Sequence, residues 1–266
     1  PIWLLRERLG RTLKAEQFDT IARTVDLPHL PAGLCGLKIT HLSDLHVGKL
    51  LTPEHLPNVV EATNALAGDI IAITGDFIDF SNDYLDPVID AVRQLDAPAG
   101  VYCVLGNHDH LDDVKALTRA FDKAGIELLV NRAVTVDCEG HRVAVGGIDW
   151  TARQRSLDRW VRGVADGMGG AELRLLLSHH PHAFDASCRN GVDLTLSGHT
   201  HGGQMVFNRK DGGDRLSLSS LSCRYTRGLY QRGRHRLFVS PGVGSWFPWR
   251  FRCPAEISLL ELQTTY

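Results

Sequence analysis

Short apolar segments alternate with longer amphipathic stretches through the first half of the chain. Apolar residues dominate the segments 37–42, 69–74 and 100–105, and a polar loop follows each of them. Short apolar runs bounded in this way are typical of buried β-strands. In the stretches between and after them apolar residues recur at helical spacing, which predicts helices over about 53–66, 86–95 and 111–124.

The second half of the chain is richer in strand-like segments. They are predicted at 126–130, 133–136, 142–147, 173–177, 194–196, 227–230, 236–240 and 256–262, with one earlier strand at 20–25. Helices that alternate with buried strands, followed by a strand-dense region, predict a layered α/β (α+β) fold with one or two central sheets. Because no low-complexity linker divides the chain, we predict a single domain over 27–266. Residues 1–26 then hold an amphipathic segment and the first strand.

Side chains that can bind metal ions cluster just after the predicted strands. They are Asp44, His46, Asp76, Asn107, His179, His199 and His201. Open α/β sheets place their sites beyond the carboxyl ends of strands. The donors are oxygen and imidazole without thiol, which suits catalytic Mn, Fe, Zn or Co better than a closed structural zinc site. Seven donors exceed the needs of one tetrahedral ion, and they suit two ions that share a bridging carboxylate at a phosphoryl-transfer centre.

The spacing within two of these clusters has a physical reason. In Asp44-x-His46 and in His199-x-His201, alternate residues that leave a strand point to the same side. Each pair is therefore expected to reach one ion.

Five short motifs together resemble those of the calcineurin-like metallophosphoesterases. The motifs are Ser43-Asp44-Leu45-His46, Gly75-Asp76, Gly106-Asn107-His108-Asp109, Ser178-His179 and Gly198-His199-Thr200-His201. They stand in the family's order, each after a predicted strand, over about residues 37–204. The segments 228–230 and 240–244 with Glu256 resemble a bacterial branch of membrane-associated phosphodiesterases, which includes the UDP-2,3-diacylglucosamine pyrophosphohydrolase of lipid A synthesis.

The resemblance implies a four-layer αββα sandwich and a role for each motif residue. Asp44, His46 and His201 would hold one divalent ion, and Asn107, His179 and His199 the other. Asp76 would bridge both ions, His108 would act on the phosphoryl group, and Asp109 would orient the His108 ring. The family pattern favours His179 over its neighbour His180 as a ligand, while His180, His182 and His110 are expected to line the pocket. We expect manganese, with iron, zinc or cobalt as alternatives.

The charge and the cysteine content of the chain indicate which binding partners and which cellular compartment to expect. The chain has 29 basic and 31 acidic residues, so it is not a polybasic nucleic-acid binder, and we expect no nucleic-acid partner. Residues 54–122 carry a balance of −10 and residues 205–253 a balance of +8, which suits a cation site and an anionic substrate. Six cysteines without a CxxC pair are typical of free thiols in a reducing compartment, so we expect a cytoplasmic protein.

Two segments indicate contact with a membrane surface, although no stretch approaches the roughly 20 apolar residues of a spanning helix. Residues 1–14 look like a short amphipathic helix, and residues 244–252 combine Trp246, Phe247, Trp249 and Phe251 with Arg250 and Arg252. Aromatic and basic residues together favour the headgroup zone of a bilayer. The alternative is that these rings pack inside the protein or in an oligomer contact.

The sequence therefore predicts a two-metal hydrolase of a phosphodiester or pyrophosphate bond in a lipid-linked substrate, at the inner face of the membrane. A soluble nucleotide phosphodiesterase or phosphatase is the alternative enzyme. A non-catalytic scaffold that reuses the fold is the third class, and the complete ligand set argues against it.

Overall fold

The fold is built from two six-stranded sheets with helices on their outer faces. The computed structural model describes residues 12–13, 17–207, 216–217, 219 and 223–264. In these residues the strands are β1 (Thr12–Leu13), β2 (Phe18–Asp26), β3 (Lys38–Leu42), β4 (Ile70–Thr74), β5 (Val101–Val104), β6 (Glu127–Leu128), β7 (Arg132–Cys138), β8 (His141–Gly147), β9 (Leu173–Leu177), β10 (Leu194–Ser197), β11 (Val206–Phe207), β12 (Leu216–Ser217), β13 (Gly228–Arg232), β14 (His235–Val239), β15 (Arg250–Phe251) and β16 (Ala255–Gln263). The α-helices are α1 (Leu56–Ala65), α2 (Leu85–Val92), α3 (Val114–Lys123), α4 (Gln154–Asp166) and α5 (Phe184–Arg189).

The two large sheets differ in the position of their antiparallel strands. The first has the order β2-β16-β3-β4-β5-β6, and β3 to β6 are parallel. The late strand β16 enters this sheet between β2, to which it is parallel, and β3, to which it is antiparallel. The second sheet has the order β13-β14-β10-β9-β8-β7, with antiparallel strands at both edges.

Three apolar clusters separate four layers. The central one joins the inner faces of the two sheets, through residues such as Ile39 and Val104 from the first and Leu175 and Leu196 from the second. A second cluster packs α1, α2 and α3 on the outer face of the first sheet, and a third packs α4 and α5 on the second. This arrangement confirms the four-layer αββα sandwich.

The predicted elements are found with small shifts in their ends, and two of the described helices, α4 and α5, were missed. Helix α4 buries Leu157, Val161, Val164 and Ala165 on one face, a helical spacing that was present in the sequence. The predicted amphipathic helix over 1–14 lies outside the described residues except for β1, which pairs with β15 as an antiparallel strand. Among the described helices, none is long and apolar enough to cross a bilayer.

Candidate metal centre

The loops that follow strands of both sheets meet at one end of the sandwich. β3, β4 and β5 are parallel neighbours, as are β9 and β10, so the carboxyl ends within each set lie at one edge. The seven predicted ligand residues all lie in the loops that follow these strands: Asp44, His46, Asp76, Asn107, His179, His199 and His201. The fold therefore brings together residues that are up to 157 positions apart in the chain.

One group of donor atoms comes from Asp44, His46 and His201, whose ligand atoms lie within 4.8 Å of one another. Nε2 of His46 is 3.0 Å from Nε2 of His201, which is 3.4 Å from Oδ1 of Asp44. All three side chains are buried. Two imidazole nitrogens and a carboxylate oxygen that converge in this way can hold one divalent cation and leave positions for water.

A second group comes from Asn107, His179 and His199. Oδ1 of Asn107 lies 3.1 Å from Nε2 of His179 and 2.8 Å from Nδ1 of His199. These two ring nitrogens are 3.2 Å apart. The group offers an amide oxygen and two imidazole nitrogens, which is a second set of three donors.

Asp76 lies between the two groups. Its Oδ2 atom is 3.4 Å from Nε2 of His46 in the first group and 3.1 Å from Nε2 of His179 in the second. Its other oxygen accepts a hydrogen bond from the backbone N–H of His108 at 2.8 Å. One carboxylate therefore faces both groups, as a bridging ligand must.

One ring nitrogen of His179 makes a hydrogen bond that prepares the other nitrogen to bind a metal ion. Nδ1 of His179 donates to the carbonyl oxygen of Thr74 at 2.7 Å. The lone pair of the neutral ring is then on Nε2, which is the atom that faces Asp76 and Asn107. Metal-binding histidines are commonly held by such a bond from the other ring nitrogen. The residues present fit the divalent cations that this donor set favours.

The electrostatics of the centre favour positive charge between its carboxylates. Burial opposes ionisation of Asp76, yet the charge and hydrogen bond of His179 outweigh it and hold the pKa of Asp76 below its ordinary range. Burial likewise opposes protonation of His179, and the charge of Asp76 raises the pKa of His179 to about 9. In the first group, burial and the charge of His46 hold the pKa of His201 well below its ordinary value.

The backbone of the centre is strained at most ligand positions. The residues with positive φ are Asp44 (54°), His46 (46°), Asp76 (55°), His199 (71°) and His201 (50°). Left-handed backbone at a non-glycine residue costs about 1–3 kcal/mol. It persists where the surrounding contacts enforce it, which is common at functional sites. Asp44 and His46 do meet in one group, but His199 and His201 lie in different groups, so the expectation that each pair reaches one ion is wrong for the second pair. All four residues have turned out of the extended conformation, so strand alternation does not place them.

Two glycines are required by close approach to the carboxylates. A Cβ atom on Gly198 would lie 1.8 Å from Oγ of Ser43 and 2.2 Å from Oδ2 of Asp44. A Cβ atom on Gly106 would lie 2.1 Å from Oδ1 of Asp76. Larger residues at either position would push the ligand carboxylates out of place.

The predicted contact between Asp109 and the His108 ring is wrong. The buried Asp109 carboxylate accepts backbone N–H bonds from Gly106, Asp76 and Phe77 at 2.8–2.9 Å, so it ties two ligand loops together. Burial, reinforced by the charge of Asp76, raises the pKa of Asp109 to about 7. Nδ1 of His108 instead lies 2.6 Å from the carbonyl oxygen of Asp79. His108 also lies near His46 and Asp76 in a third group of possible ligand atoms.

The structure places His179, and not His180, beside Asp76. Nδ1 of His180 lies 2.6 Å from Nδ1 of His182, and the two rings stack. The His180 ring also lies 4.4 Å from the ring of His199 between centroids. Burial, with the charges of neighbouring histidines, lowers the pKa of His180 to about 2. His180 and His182 therefore pack beside the donor set and outside it.

The aromatic segment 244–252 is split between surface and interior. Trp246 and Trp249 are 58% and 64% exposed, whereas Phe247 and Phe251 are half-buried. The Trp246 ring lies 6.5 Å from the ring of His201. The expectation that Arg250 offers a cationic head to a membrane is wrong: its side chain is buried, with Nη2 3.3 Å from Nδ1 of His201.

Two further residues lie at the centre that were not among the predicted site residues. Phe80 is 65% exposed, and its ring lies 5.3 Å from that of His108. Asp79 places Oδ1 3.5 Å from Nδ1 of His46. Their position four and three residues after Asp76, in the same loop, was the available signal.

Comparisons with known proteins agree with this geometry. The family profile described as calcineurin-like phosphoesterase matches residues 37–203. The metallophosphoesterase YkuE of Bacillus subtilis is 31% identical, over 96% of this chain and 89% of its own length. A Danio rerio protein named transmembrane protein with metallophosphoesterase domain is 30% identical over 90% of this chain, and the match spans 56% of that longer protein.

A solved structure shares the fold at much lower sequence identity. The structure titled GAP50, the anchor in the inner membrane complex of Plasmodium, superposes with a TM-score of 0.52 at 12% identity. The match covers 85% of this chain and 80% of that one.

Proposed function

Because the chain belongs to the calcineurin-like phosphoesterase family, and is thereby a metal-dependent phosphoester hydrolase, we propose that it cleaves a phosphodiester or pyrophosphate bond in a lipid-linked substrate. Asp44, His46 and His201 hold one divalent ion in this proposal, and Asn107, His179 and His199 hold the other. Asp76 bridges the two. When bound, such an ion pair supplies a water nucleophile at neutral pH and neutralises the charge of the phosphoryl oxygens.

His108 is the residue of the chain that acts on the phosphoryl group. Its ring is fixed by the bond from Nδ1 to the Asp79 carbonyl oxygen. A held imidazole can donate a proton to a leaving oxygen or stabilise developing negative charge. Asp109 does not contribute to this step directly, because its carboxylate is occupied by four backbone amides.

The observation that carries the lipid-linked substrate is the exposed aromatic surface beside the donor groups. Phe80 borders His108 on one side, and Trp246 borders His201 on the other. Large exposed apolar side chains around a polar centre suit a substrate or surface that covers them. Trp249 extends the same segment, and Arg252 beside it is exposed and cationic.

This surface also supports peripheral binding at an anionic membrane. Tryptophan rings favour the headgroup zone, and each basic residue near an anionic surface adds about 1 kcal/mol of attraction. We therefore place the protein at the cytoplasmic face of a membrane, with manganese as the first metal to test. UDP-2,3-diacylglucosamine is the first lipid-linked substrate to test. The reason is that segments 228–230 and 240–244 resemble the bacterial branch that includes the pyrophosphohydrolase of this compound.

The test is a hydrolysis screen of manganese-loaded protein against lipid-linked pyrophosphates and soluble phosphodiesters side by side. We expect faster turnover of the lipid-linked set in vesicles that contain anionic lipid. Replacing both Trp246 and Trp249 with Ser should weaken vesicle binding and lipid-substrate turnover but spare a soluble diester. Leu229→Ser is the matched control, because Leu229 is 45% exposed on β13, outside this segment.

Equal loss on both substrates in the Trp246→Ser, Trp249→Ser protein would show that the rings are structural. Failure of the wild-type protein to bind anionic vesicles at low salt would overturn the lipid-linked substrate. A soluble nucleotide phosphodiester would then become the leading candidate.

A further inference from the structure

A buried arginine lies directly behind one half of the donor set. We propose that Arg250 is the positioning residue of the group formed by Asp44, His46 and His201, and that it acts on this group more strongly than on the other. This inference rests on the metal-binding roles proposed above. It concerns a residue that the sequence pattern had assigned to the protein surface.

The guanidinium of Arg250 binds acceptors from two parts of the chain. Nε donates to Oγ of Ser245 at 2.8 Å, and Nη1 lies 3.4 Å from the carbonyl oxygen of Cys253. Nη2 donates to the carbonyl oxygens of Pro241, at 2.9 Å, and of Gly244. A guanidinium has five N–H donors in a fixed plane, so one side chain can hold all of these groups at once.

The segment that Arg250 holds is in turn bonded to the backbone of Asp44. The backbone N–H of Gly244 donates to the carbonyl oxygen of Asp44 at 2.7 Å, and that of Val243 donates to Ser43 at 2.9 Å. A Cβ atom on Gly242 would lie 2.8 Å from Cβ of Asp44. The segment 241–245 therefore lies against the left-handed turn that aims the Asp44 carboxylate.

Arg250 also contacts a second ligand of the same group. Its Nη2 atom lies 3.3 Å from Nδ1 of His201, on the side of the ring away from Asp44. The thiol of Cys253 lies 3.4 Å from the backbone carbonyl oxygen of His201. The guanidinium thus supports two ligands of one ion. It contacts the ring of His201 directly, and it holds the segment 241–245, which is bonded to the backbone of Asp44.

The other group is held largely by different contacts. His179 is fixed by the carbonyl oxygen of Thr74, and Asn107 lies in the loop that Asp109 ties to Asp76 and Phe77. One shared contact is the backbone N–H of His199, which donates to the Asp44 carboxylate at 3.1 Å. Removal of the Arg250 fork should therefore disturb the ion of the first group more than the other. Groups that orient metal ligands typically contribute 10–100-fold to metal affinity.

Arg250→Lys is the most informative substitution. It keeps the positive charge but replaces the planar fork with one ammonium, which cannot reach Ser245, Pro241 and Gly244 together. Arg236→Lys is the matched control. Arg236 is also a buried arginine that donates to backbone carbonyl oxygens, those of Gly233 and His235, but it lies at the start of β14.

The experiment is a calorimetric titration of the full, metal-free chain with Mn²⁺, together with metal analysis and circular dichroism. We expect two ions in the wild-type and Arg236→Lys proteins. In Arg250→Lys one site should weaken by about 10–100-fold, while the affinity of the other should change much less. His201→Ala should weaken the same site, and the double variant Arg250→Lys, His201→Ala should lose less than the sum of the two single losses.

Other outcomes separate this inference from the proposed function. Wild-type affinities at both sites in Arg250→Lys would overturn the inference and leave the two-ion centre intact. Equal weakening of both sites, or loss of folding while Arg236→Lys folds, would make Arg250 a general structural residue and also overturn it. Fewer than two ions in the wild-type protein would overturn the two-ion centre and this inference with it.

Discussion

The Nδ1 atom of His108 lies 2.6 Å from the backbone carbonyl oxygen of Asp79, and this bond fixes the His108 ring. The acceptor is a main-chain atom, so no substitution of the Asp79 side chain removes it. The bond also links the loop after β5 to the loop after β4. The His108 ring is therefore held by the same loop that carries the bridging carboxylate of Asp76.

His108→Ala should lower turnover by about 10²–10⁴-fold, the usual contribution of a group that transfers a proton in the transition state. Both metal ions should remain, because the change leaves the proposed ligands in place. Turnover and metal content measured on the same sample check this. His110→Ala, on the same turn, should have a much smaller effect, and loss of metal in His108→Ala would make His108 a ligand.

Asp76→Ala should cost both metal occupancy and turnover, since it removes the carboxylate whose Oδ2 atom lies within 3.4 Å of a ring nitrogen in each donor group. Metal analysis after dialysis is the measurement, with Asp86→Asn on the exposed side of α2 as the control. One tightly held ion together with unchanged turnover in Asp76→Ala would contradict the two-ion mechanism.

Asp109→Ala should destabilise the metal-free protein, because it leaves the amides of Gly106, Asp76 and Phe77 without their buried acceptor. Each unsatisfied buried donor costs about 1–3 kcal/mol, so we expect the free energy of unfolding to fall by at least about 3 kcal/mol. Urea denaturation in a chelator measures it, with the exposed Asp90→Asn as control. Wild-type stability combined with slow turnover would instead return Asp109 to a role in orienting His108.

His41 should make the metal-free protein lose stability in acid. Its ring is fully buried, Nε2 lies 2.8 Å from Oγ1 of Thr74, and burial lowers its pKa from 6.5 to about 3. Between these values the unfolded chain binds a proton that the folded chain does not. The free energy of unfolding therefore falls as pH decreases from 6.5 towards 3, by up to about 1.4 kcal/mol per pH unit from this residue.

His41→Gln removes this titrating group and should flatten the slope of unfolding free energy against pH over that window. Urea titrations from pH 4 to 7 give the slope. His29→Asn is the control, because His29 is exposed and asparagine tolerates its left-handed backbone. An unchanged slope in His41→Gln would contradict the buried, neutral state of His41.

The placement of the donor residues was accessible from the sequence because it depends on local pattern. Asp44 and Asp76 each follow a short apolar run, and the parallel neighbours β3 and β4 end at a common edge, so their meeting could be predicted without knowledge of the fold in detail. Helix α4 could have been predicted as well, since Leu157, Val161 and Val164 recur at helical spacing.

The sequence could not predict the hydrogen bonds that side chains make with main-chain atoms of residues far along the chain. Two of the donors to the Asp109 carboxylate are backbone amides about 30 residues away, and the acceptor for His108 is a carbonyl oxygen with no side-chain signature. In the sequence Arg250 stands among residues of a type expected at the surface. Its side chain is buried because residues 241–245 pass beside it and accept its hydrogen bonds. Composition and spacing carry no record of such main-chain partners.

The position of β16 between β2 and β3 has a consequence for biosynthesis. β3 leaves the ribosome about 210 residues before β16, which at bacterial or eukaryotic elongation rates is a delay of about 10–40 s. During that interval β2 and β3 lack the strand that joins them, and both keep unpaired edges. We expect the nascent chain to depend on holding chaperones until the final strand emerges, with the second sheet folding ahead of the first.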